Sequence, residues 1–346
     1  MFSSQVCGHI CVDLIPQLDG EPDLTPGRLT GAGPLRFRLG GCVANTGGDL
    51  IALGAPVTLV AEVGDDVLGA SLHRVLVDRD GPDHQVIVVP GGSTSYSLVI
   101  QAPGRDRTFW HHVGVNQGVD GARIDPERAD LLHLGYPQVL PAMLADGGAP
   151  LVDLLRRARA ADVTTSLDFC VLDPASPAAR FDWARLLTEL LPWTDVFSPS
   201  SDDLAACTGR PVPAGRDGLL AAAADLVAGG AAVAMVTGGA AGLAVRVAGA
   251  ERLRASRVLR PVADDWAGFS IWLPALPVPV LATVGAGDAA TAGLLYGLLA
   301  GFRPEQAASL PWPQWPGWSA ATTGWCPTAT GRPTAQRPWS ADPLVG

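Results

Sequence analysis

The chain has 346 residues, of which 48% are hydrophobic and 17% charged, a composition typical of a globular protein with one large or two modest domains. Its formal net charge of −10 argues against a surface that binds nucleic acid or an anionic membrane, and no apolar run reaches the roughly 20 residues that a membrane-spanning helix needs. All 24 basic residues are arginine, which excludes a Walker A loop, a Schiff-base aldolase and a pyridoxal-phosphate enzyme because each requires a lysine. The expected partner is a small molecule.

The N-terminal segment has neither a basic leader nor an Ala-x-Ala cleavage pattern, so it indicates a first strand and not a signal peptide. A cytoplasmic location is therefore expected. The six cysteines form no CxxC pair, which favours structural thiols over a metal site and implies no disulfide framework. They are Cys7, Cys11, Cys42, Cys170, Cys207 and Cys326.

Apolar runs bounded by turns alternate along the chain with stretches rich in alanine and leucine. The apolar runs predict buried strands over 57–64, 129–135, 164–170, 194–200 and 232–239. The stretches between them predict helices, among them 44–53, 150–161 and 217–228. Because the strands are apolar on both faces, the sequence predicts an α/β fold with a mostly parallel sheet covered by helices on both sides.

Two segments, 14–39 and 85–117, interrupt this alternation. Both are polar, contain frequent glycines and show β-type alternation of polar and apolar residues. They predict β-hairpins that do not belong to the parallel core.

The stretch Thr283–Gly293, TVGAGDAATAG, carries the strongest functional signal. Gly285 and Gly287 allow a tight turn whose N–H groups point to one place, and the apolar run that follows predicts a helix starting there. A helix N-terminus favours a bound anion such as phosphate. Asp288 would repel that anion unless it accepts a proton from an attacking hydroxyl, so the combination predicts phosphoryl transfer to an alcohol.

Two stretches resemble the signatures of the pfkB, or ribokinase-like, family of carbohydrate and nucleoside kinases. GAGD at the start of a helix of small residues is similar to the second signature, and RLGGCVANTGGDLIALGAPVTLVAEVGDDVLG, from Arg38 to Gly69, is similar to the first almost in full. The resemblance covers residues 1–310 and implies a ribokinase-like domain there. It also implies that the two hairpin segments form a small β lid over the sugar, which excludes water during transfer.

The resemblance further implies ATP-dependent phosphorylation of a hydroxyl on a sugar or sugar-like small molecule, with Mg²⁺ as cofactor. Asp288 is expected to be the general base. The amides of the preceding turn are expected to stabilise charge on the transferring phosphoryl group, and they belong to Gly285, Ala286 and Gly287.

Five residues are expected to hold the acceptor, by similarity to the family's sugar site. Asp13 follows the first strand and matches a hydroxyl-binding carboxylate, although an Asp at a strand end is also a common turn former. Gly40 and Gly41 permit close backbone approach. Asn45 lies at the start of a helix, where an N-cap is the alternative role. Asn116 ends a strand of the lid near the sugar.

Two further stretches are expected to bind the nucleotide and its metal. Pro199–Gly209 takes the place of the family's N-x-x-E motif, with Ser200 on the nucleotide side and Asp203 as the metal residue. Both are oxygen ligands suited to a hard cation, but Asp is one methylene shorter than Glu and Ser is no amide. Thr237 and Gly239 match the family's strand and Gly-rich turn that contact the nucleotide.

The chain departs from the family pattern at two places. Ala282 replaces an Asp that helps to bind an activating monovalent cation, which puts a K⁺ requirement in doubt. Residues 311–346 contain seven Pro and five Trp with no periodicity, where the family has further helices and a strand. Because Trp is encoded by TGG, reading repeated Pro-Trp codons two bases later gives Ala alternating with Val or Leu. The hypothesis is a frameshifted tail; a genuine disordered or partner-binding tail is the alternative.

Three readings of the function remain beside the sugar kinase. Ala282, Ser200 and the tail are compatible with a catalytically impaired relative that binds a sugar or nucleoside, and the lid does not separate a sugar kinase from a nucleoside kinase. A dehydrogenase is the least favoured, since no Gly-rich turn leads from a strand into a helix with an acidic residue after the next strand. A homodimer through the lid is possible by similarity to the family.

Overall fold

Strands and helices alternate along the chain in this computed structural model, which describes residues 1–80, 84–103, 107–275, 285–309, 325–327 and 333–335. The strands are β1 (Ser4–Gly8), β2 (Cys11–Pro16), β3 (Leu35–Gly40), β4 (Val57–Gly64), β5 (Gln85–Val89), β6 (Tyr96–Ile100), β7 (Thr108–His112), β8 (Leu131–Gly135), β9 (Thr164–Leu167), β10 (Val196–Phe197), β11 (Val233–Thr237), β12 (Leu243–Val247), β13 (Ser270–Leu273), β14 (Trp325–Pro327) and β15 (Pro333–Ala335).

The α-helices are α1 (Cys42–Ala52), α2 (Val67–Asp80), α3 (Ala149–Ala160), α4 (Trp183–Leu190), α5 (Ser201–Thr208), α6 (Arg216–Ala228), α7 (Ala250–Arg254), α8 (Ala263–Trp266), α9 (Ala286–Leu299) and α10 (Pro304–Ser309). Short 3₁₀ helices cover Gly114–Gly118, Pro126–Arg128, Pro137–Val139, Pro141–Gly148, Pro177–Arg180, Leu191–Trp193, Gly239–Ala241 and Arg260–Val262. Among the described residues, no helix combines the length and the apolar character needed to cross a membrane.

A nine-stranded sheet forms the centre of the molecule, in the order β13-β12-β11-β10-β9-β8-β1-β4-β5. Seven neighbouring strands of this sheet run parallel, in the spatial order β5, β4, β1, β8, β9, β10 and β11. At the β11 edge, β12 pairs antiparallel with β11, and β13 pairs antiparallel with β12. This confirms the predicted mostly parallel sheet. In a parallel sheet all carboxyl ends lie along one edge, and loops that leave that edge bring their side chains together.

Both faces of the large sheet are buried, as the apolar strands predicted. Neighbouring residues on a strand point to opposite faces: Val6 of β1 packs into the core that contains α9, whereas Cys7 packs into the core that contains α3 and α4. Both side chains are fully buried. The two cores therefore fix the sheet between two layers of helices.

A second sheet of four strands, in the order β3-β2-β6-β7, corresponds to the predicted hairpins. Only two residues separate β1 from β2, and Gly41 alone separates β3 from α1. Short connections therefore join the small sheet to the large sheet and to α1. One of the two edge strands of the small sheet, β7, is solvent-exposed. A homodimer through this sheet stays a prediction.

The boundaries of the predicted hairpin segments need two corrections. Gln85–Val89 was assigned to the second hairpin segment, but it pairs in parallel with β4 and is the edge strand of the large sheet. Asp13 was expected at the end of the first core strand, but it lies inside β2 of the small sheet, opposite Arg38 and beside Ser97. The chain passes from the large sheet to the small one within the two residues between β1 and β2. This connection is too short to appear in the sequence as a break between two strands.

Most of the predicted atypical tail, 311–346, lies outside the described residues. Its described parts are β14 and β15, which pair antiparallel with each other. The frameshift hypothesis and the boundary at 310 stay predictions.

A buried ion network joins two parallel strands, β9 and β10, to the helices α3 and α7. The Asp195 carboxylate, just before β10, has no exposed surface and accepts hydrogen bonds from Arg159 at 2.5 Å and Arg252 at 2.7 Å. It also accepts the backbone N–H of Thr165 at 3.0 Å, next to β9 residues that pair with β10. Removing this carboxylate leaves two guanidinium groups without their partner in a largely buried place.

We expect Asp195→Ala to lower the free energy of unfolding by about 3–5 kcal/mol, because breaking a buried ion pair leaves an uncompensated charge. The measurement is urea unfolding followed by circular dichroism. Asp153→Ala is the control: Asp153 pairs with Arg157 on an exposed face of α3, and its loss should change stability by less than about 1 kcal/mol. Equal losses in the two variants would contradict the assignment of Asp195 as a structural centre.

Candidate active site

The helix predicted from the apolar run after TVGAGD is α9, but it begins earlier, at Ala286, so Gly287 and Asp288 lie in its first turn. Gly285 is the residue before the helix and has φ +80°, a left-handed conformation that favours glycine. No side chain of the described residues caps this N-terminus, and Ala286 is exposed, so the first N–H groups of α9 suit an external anion. Thr283 and Ala282 lie outside the described residues.

Asp288 lies in the first turn of α9 and is only 6% exposed. Three side chains donate hydrogen bonds to its carboxylate. Oδ1 accepts from Thr46 Oγ1 at 3.0 Å and from Tyr136 OH at 2.5 Å, and Oδ2 accepts from Asn45 Nδ2 at 3.0 Å. The carboxylate is therefore fixed in one orientation by donors from α1 and from the loop after β8.

Helix α1 begins at Cys42, three residues before Asn45, so Asn45 lies in the first turn of α1, from which its side chain reaches Asp288. The N-cap position belongs to Gly41, so the alternative role of Asn45 as an N-cap is wrong. The sequence did not point to Thr46 or Tyr136, since their contacts with Asp288 span more than a hundred residues.

A second buried carboxylate, Asp168, lies beside Asp288 and was missed in the sequence. It directly follows β9, is 3% exposed and accepts the Phe169 backbone N–H at 2.8 Å. The available signal was its place at the carboxyl end of a predicted parallel strand, where ligand groups collect.

The carboxylates at this edge repel one another. Burial, followed by the negative charges of Asp288 and Asp203, raises the pKa of Asp168 well above its usual range. Burial also raises the pKa of Asp288, and the hydrogen bonds from Tyr136, Asn45 and Thr46 offset only part of that rise. Burial raises the pKa of Asp203 as well. Oxygen donors that concentrate negative charge fit a hard cation such as Mg²⁺.

The predicted metal and nucleotide residues lie at the ends of β10 and β11. Ser200 caps α5 and exchanges hydrogen bonds with Asp203: Asp203 N donates to Ser200 Oγ at 3.0 Å, and Ser200 Oγ donates to Asp203 Oδ2 at 2.6 Å. This capping box uses Oδ2 of Asp203, and within the described ranges Oδ1 accepts no hydrogen bond. Ser200 also forms a bridge with Thr237, and the exposed Gly239 follows in the next turn. Ser200 is thus a direct neighbour of both Asp203 and Thr237.

The predicted acceptor residues Asp13, Gly40 and Gly41 also meet. A Cβ atom on Gly40 would lie 2.7 Å from both carboxylate oxygens of Asp13, and one on Gly41, where φ is +86°, would lie 2.5 Å from the carbonyl oxygen of His9. Neither position has room for a side chain. Gly41 then leads directly into α1 and towards Asn45.

Asn116 is fully buried and lies in the 3₁₀ helix after β7. Its Nδ2 donates to the carbonyl oxygen of Ile10 at 2.7 Å, and its Oδ1 has no hydrogen-bond partner among the described residues. The side chain therefore supports the connection between β1 and β2 and keeps one acceptor atom for a ligand.

Comparison with known proteins agrees with this geometry. A family model described as pfkB family carbohydrate kinase matches residues 1–311. A ribokinase from Arabidopsis thaliana, solved with ribose and ATP, is similar in structure with a TM-score of 0.66, 20% sequence identity and 88% of each chain covered. A nucleoside kinase from Burkholderia thailandensis, in complex with inosine, gives a TM-score of 0.65 at 19% identity over 95% of this chain and 96% of that one.

A putative ribokinase II from E. coli, in complex with ATP and Mg²⁺, gives a TM-score of 0.64 at 18% identity over 89% of each chain. At such identities the likeness carries the fold alone. It confirms the predicted ribokinase-like α/β architecture, and the roles of single residues stay predictions.

We expect Asp168→Asn to stabilise the protein at pH 8 by about 1–4 kcal/mol, because it removes a buried charge next to two other carboxylates. Asn keeps the acceptor oxygen for the Phe169 N–H. The raised pKa of Asp168 means that its contribution to stability is present below the ordinary carboxyl pKa and is lost as the pH rises towards the folded value. The gain should therefore shrink as the pH approaches about 4.

Urea unfolding of the wild type and Asp168→Asn at pH 8 and pH 4.5 measures this difference. Asp202→Asn, an exposed carboxylate in the first turn of α5, serves as the control and should leave stability nearly unchanged at both values. A variant that is less stable than the wild type at pH 8 would show that Asp168 is not under repulsion.

Proposed function

Because this chain belongs to the pfkB family of carbohydrate kinases, we propose that it transfers the γ-phosphoryl group of ATP to a hydroxyl group of a sugar or sugar-like small molecule. One observation carries the proposal for this site: the buried carboxylate of Asp288 is held by three donors in the first turn of α9, directly beside a helix N-terminus suited to phosphate.

Asp288 is the proposed general base. A carboxylate oxygen has two lone pairs, and Oδ1 already accepts from both Thr46 and Tyr136. Oδ2 accepts only from Asn45 in the described part of the chain, so one lone pair of Oδ2 remains to take the proton of the acceptor hydroxyl. The raised pKa of Asp288 makes it a better proton acceptor than an ordinary carboxylate.

The N-terminal end of α9, with Gly285 before it, is the proposed anion hole. The amides of Gly285, Ala286 and Gly287 lie at the positive end of the α9 dipole, where they stabilise charge on the phosphoryl group as it passes to the acceptor. Asp288 directly follows Gly287 in the first turn of α9. The proposed proton acceptor and the amides proposed to stabilise charge therefore belong to one helical turn.

ATP is proposed to lie along the ends of β10 and β11, near Ser200, Thr237 and Gly239. Asp203 and Asp168 would hold Mg²⁺, which when bound neutralises phosphate charge during transfer. The electrostatic repulsion between these carboxylates supports this assignment, since a divalent cation relieves it.

The acceptor is proposed to lie between the small sheet and α9. Asp13 on β2 binds hydroxyl groups, Gly40 and Gly41 allow the ligand to approach the backbone, and Asn45 contacts both the acceptor and the base. Asn116 Oδ1, which has no hydrogen-bond partner in the described part of the chain, offers one more acceptor for a hydroxyl. Carboxylates and amides that converge in this way suit a polyhydroxylated substrate.

An ATP-consumption screen tests the reaction class. Pentoses, hexoses, inositols, sugar acids and nucleosides are offered as acceptors, each with Mg²⁺, to protein with the tail as given and with the re-read tail. We expect turnover with at least one acceptor from these groups. Acceptor binding by calorimetry without turnover in either form would instead favour the catalytically impaired relative, and turnover with nucleosides alone would favour the nucleoside kinase.

We expect Asp288→Asn to lower kcat by about 10²- to 10⁴-fold with acceptor binding largely retained, because only the proton acceptor is lost. In the wild type kcat/KM should fall on acidification, and its midpoint should lie above the ordinary carboxyl pKa because the pKa of Asp288 is raised. Steady-state kinetics across pH measures both. Asp202→Asn should behave as the wild type, and unchanged turnover in Asp288→Asn would remove Asp288 from the mechanism.

A further inference from the structure

Three side chains of metal-ligating type meet where the small sheet leaves the large one. His9 lies in the connection between β1 and β2, Cys11 is the first residue of β2, and His111 belongs to β7. Each offers one ligand atom, and these atoms all lie within 4.8 Å of one another. The cluster, His9–Cys11–His111, uses none of the residues that the proposed kinase mechanism requires.

His9 is a buried polar side chain whose hydrogen-bonding atoms have no described partner. It is 6% exposed, and neither of its ring nitrogens has a hydrogen-bond partner in the part of the chain that the structure describes. A buried imidazole without partners is unfavourable, so such a group indicates a missing ligand.

The surroundings supply the contacts that a metal centre uses to orient its ligands. Ser97 Oγ lies 3.0 Å from His111 Nδ1 and 3.8 Å from Cys11 Sγ. The Asp13 Oδ1 atom lies 3.5 Å from the same sulfur. A carboxylate and a hydroxyl beside the ligands are typical partners around a bound metal.

We propose that His9, Cys11 and His111 form a binding site for a divalent metal that accepts sulfur and nitrogen ligands, with Zn²⁺ as the best fit. Zn–S and Zn–N bonds of about 2.3 and 2.0 Å place tetrahedral ligand atoms roughly 3.3–3.6 Å apart. Because the three atoms lie within 4.8 Å of one another, they need to approach by up to about 1.5 Å, which requires rotations of the side chains. The fourth position is open to water or to Asp13.

Binding involves no change of oxidation state. The thiol of Cys11 gives its proton to solvent as the Zn–S bond forms, and each imidazole binds through a neutral nitrogen. A sulfur and two nitrogens do not suit Mg²⁺, which prefers oxygen ligands, so the site is chemically distinct from the carboxylates around Asp288.

A metal here would connect β7 to the β1–β2 connection, next to the ring of Tyr136, whose centroid lies 5.8 Å from that of His9. Because Asp13 borders the site, a bound metal would also compete with the acceptor. This competition rests on the proposed function, whereas metal binding itself does not.

Cobalt substitution tests the site on the full chain, without reference to kinase activity. Protein freed of metal by a chelator is titrated with Co²⁺ and then with Zn²⁺ while absorbance is recorded. We expect one equivalent of Co²⁺ to give intense visible bands of tetrahedral geometry and a thiolate-to-cobalt charge-transfer band in the near ultraviolet. Zn²⁺ should displace both, and millimolar Mg²⁺ should displace neither.

Variants assign the ligands. Cys11→Ser should abolish the charge-transfer band, and His111→Gln should weaken the apparent affinity at least about tenfold. His112→Gln is the matched control, since it is the next residue on β7 and points to the opposite face, and it should bind as the wild type does. Cys170→Ser controls for the partly exposed thiol elsewhere.

The absence of a charge-transfer band in the wild type, or equal bands in the wild type, Cys11→Ser and His111→Gln, would overturn the proposal. Circular dichroism of the metal-free variants shows whether they are folded. If Cys11→Ser does not fold, His111→Gln decides alone: undiminished binding overturns the site, and weakened binding with an unchanged His112→Gln supports it.

Discussion

The hydrogen bonds to one buried carboxylate hold the two halves of this site together. Asp288 belongs to α9, near the end of the described domain, whereas its donors Asn45 and Thr46 belong to α1 and Tyr136 follows β8. A buried carboxylate without such donors would be strongly unfavourable. The N-termini of α1 and α9 must therefore face each other, and the small sheet that leads into α1 is placed over the same edge.

The sequence predicted those parts of the fold that depend on local pattern. The strand over 57–64 has the predicted bounds, because a run of apolar residues between turns determines a buried parallel strand. The strand Gln85–Val89 was assigned to the wrong sheet, since pairing with β4 is a long-range choice that the alternation of residues does not reveal. The same holds for Asp13: β1 and β2 are separated by two residues but belong to different sheets.

For the site, the sequence identified the residues with local signatures. Gly285 and Asp288 were recognised because closely spaced glycines, an acidic residue and an apolar run of small residues form one continuous pattern in the sequence. Asp168 and the cluster around His9 were not, because each gains its meaning only from neighbours distant in the chain. His111 could not be distinguished from His112 until the pairing of β6 with β7 determined which of them lies beside His9.

The buried carboxylates at this edge of the large sheet lower the stability of the folded protein. Asp168, Asp203 and Asp288 are buried within interaction distance of one another, and burial raises the pKa of all three. Such a cluster opposes folding at neutral pH, since the unfolded carboxyls ionise freely. A cation bound between them would remove that penalty and stabilise the folded state by mass action. The burial of three carboxylates that weakens the fold also concentrates the oxygen donors that fit a hard cation, so stability and cation binding are opposing requirements at this edge.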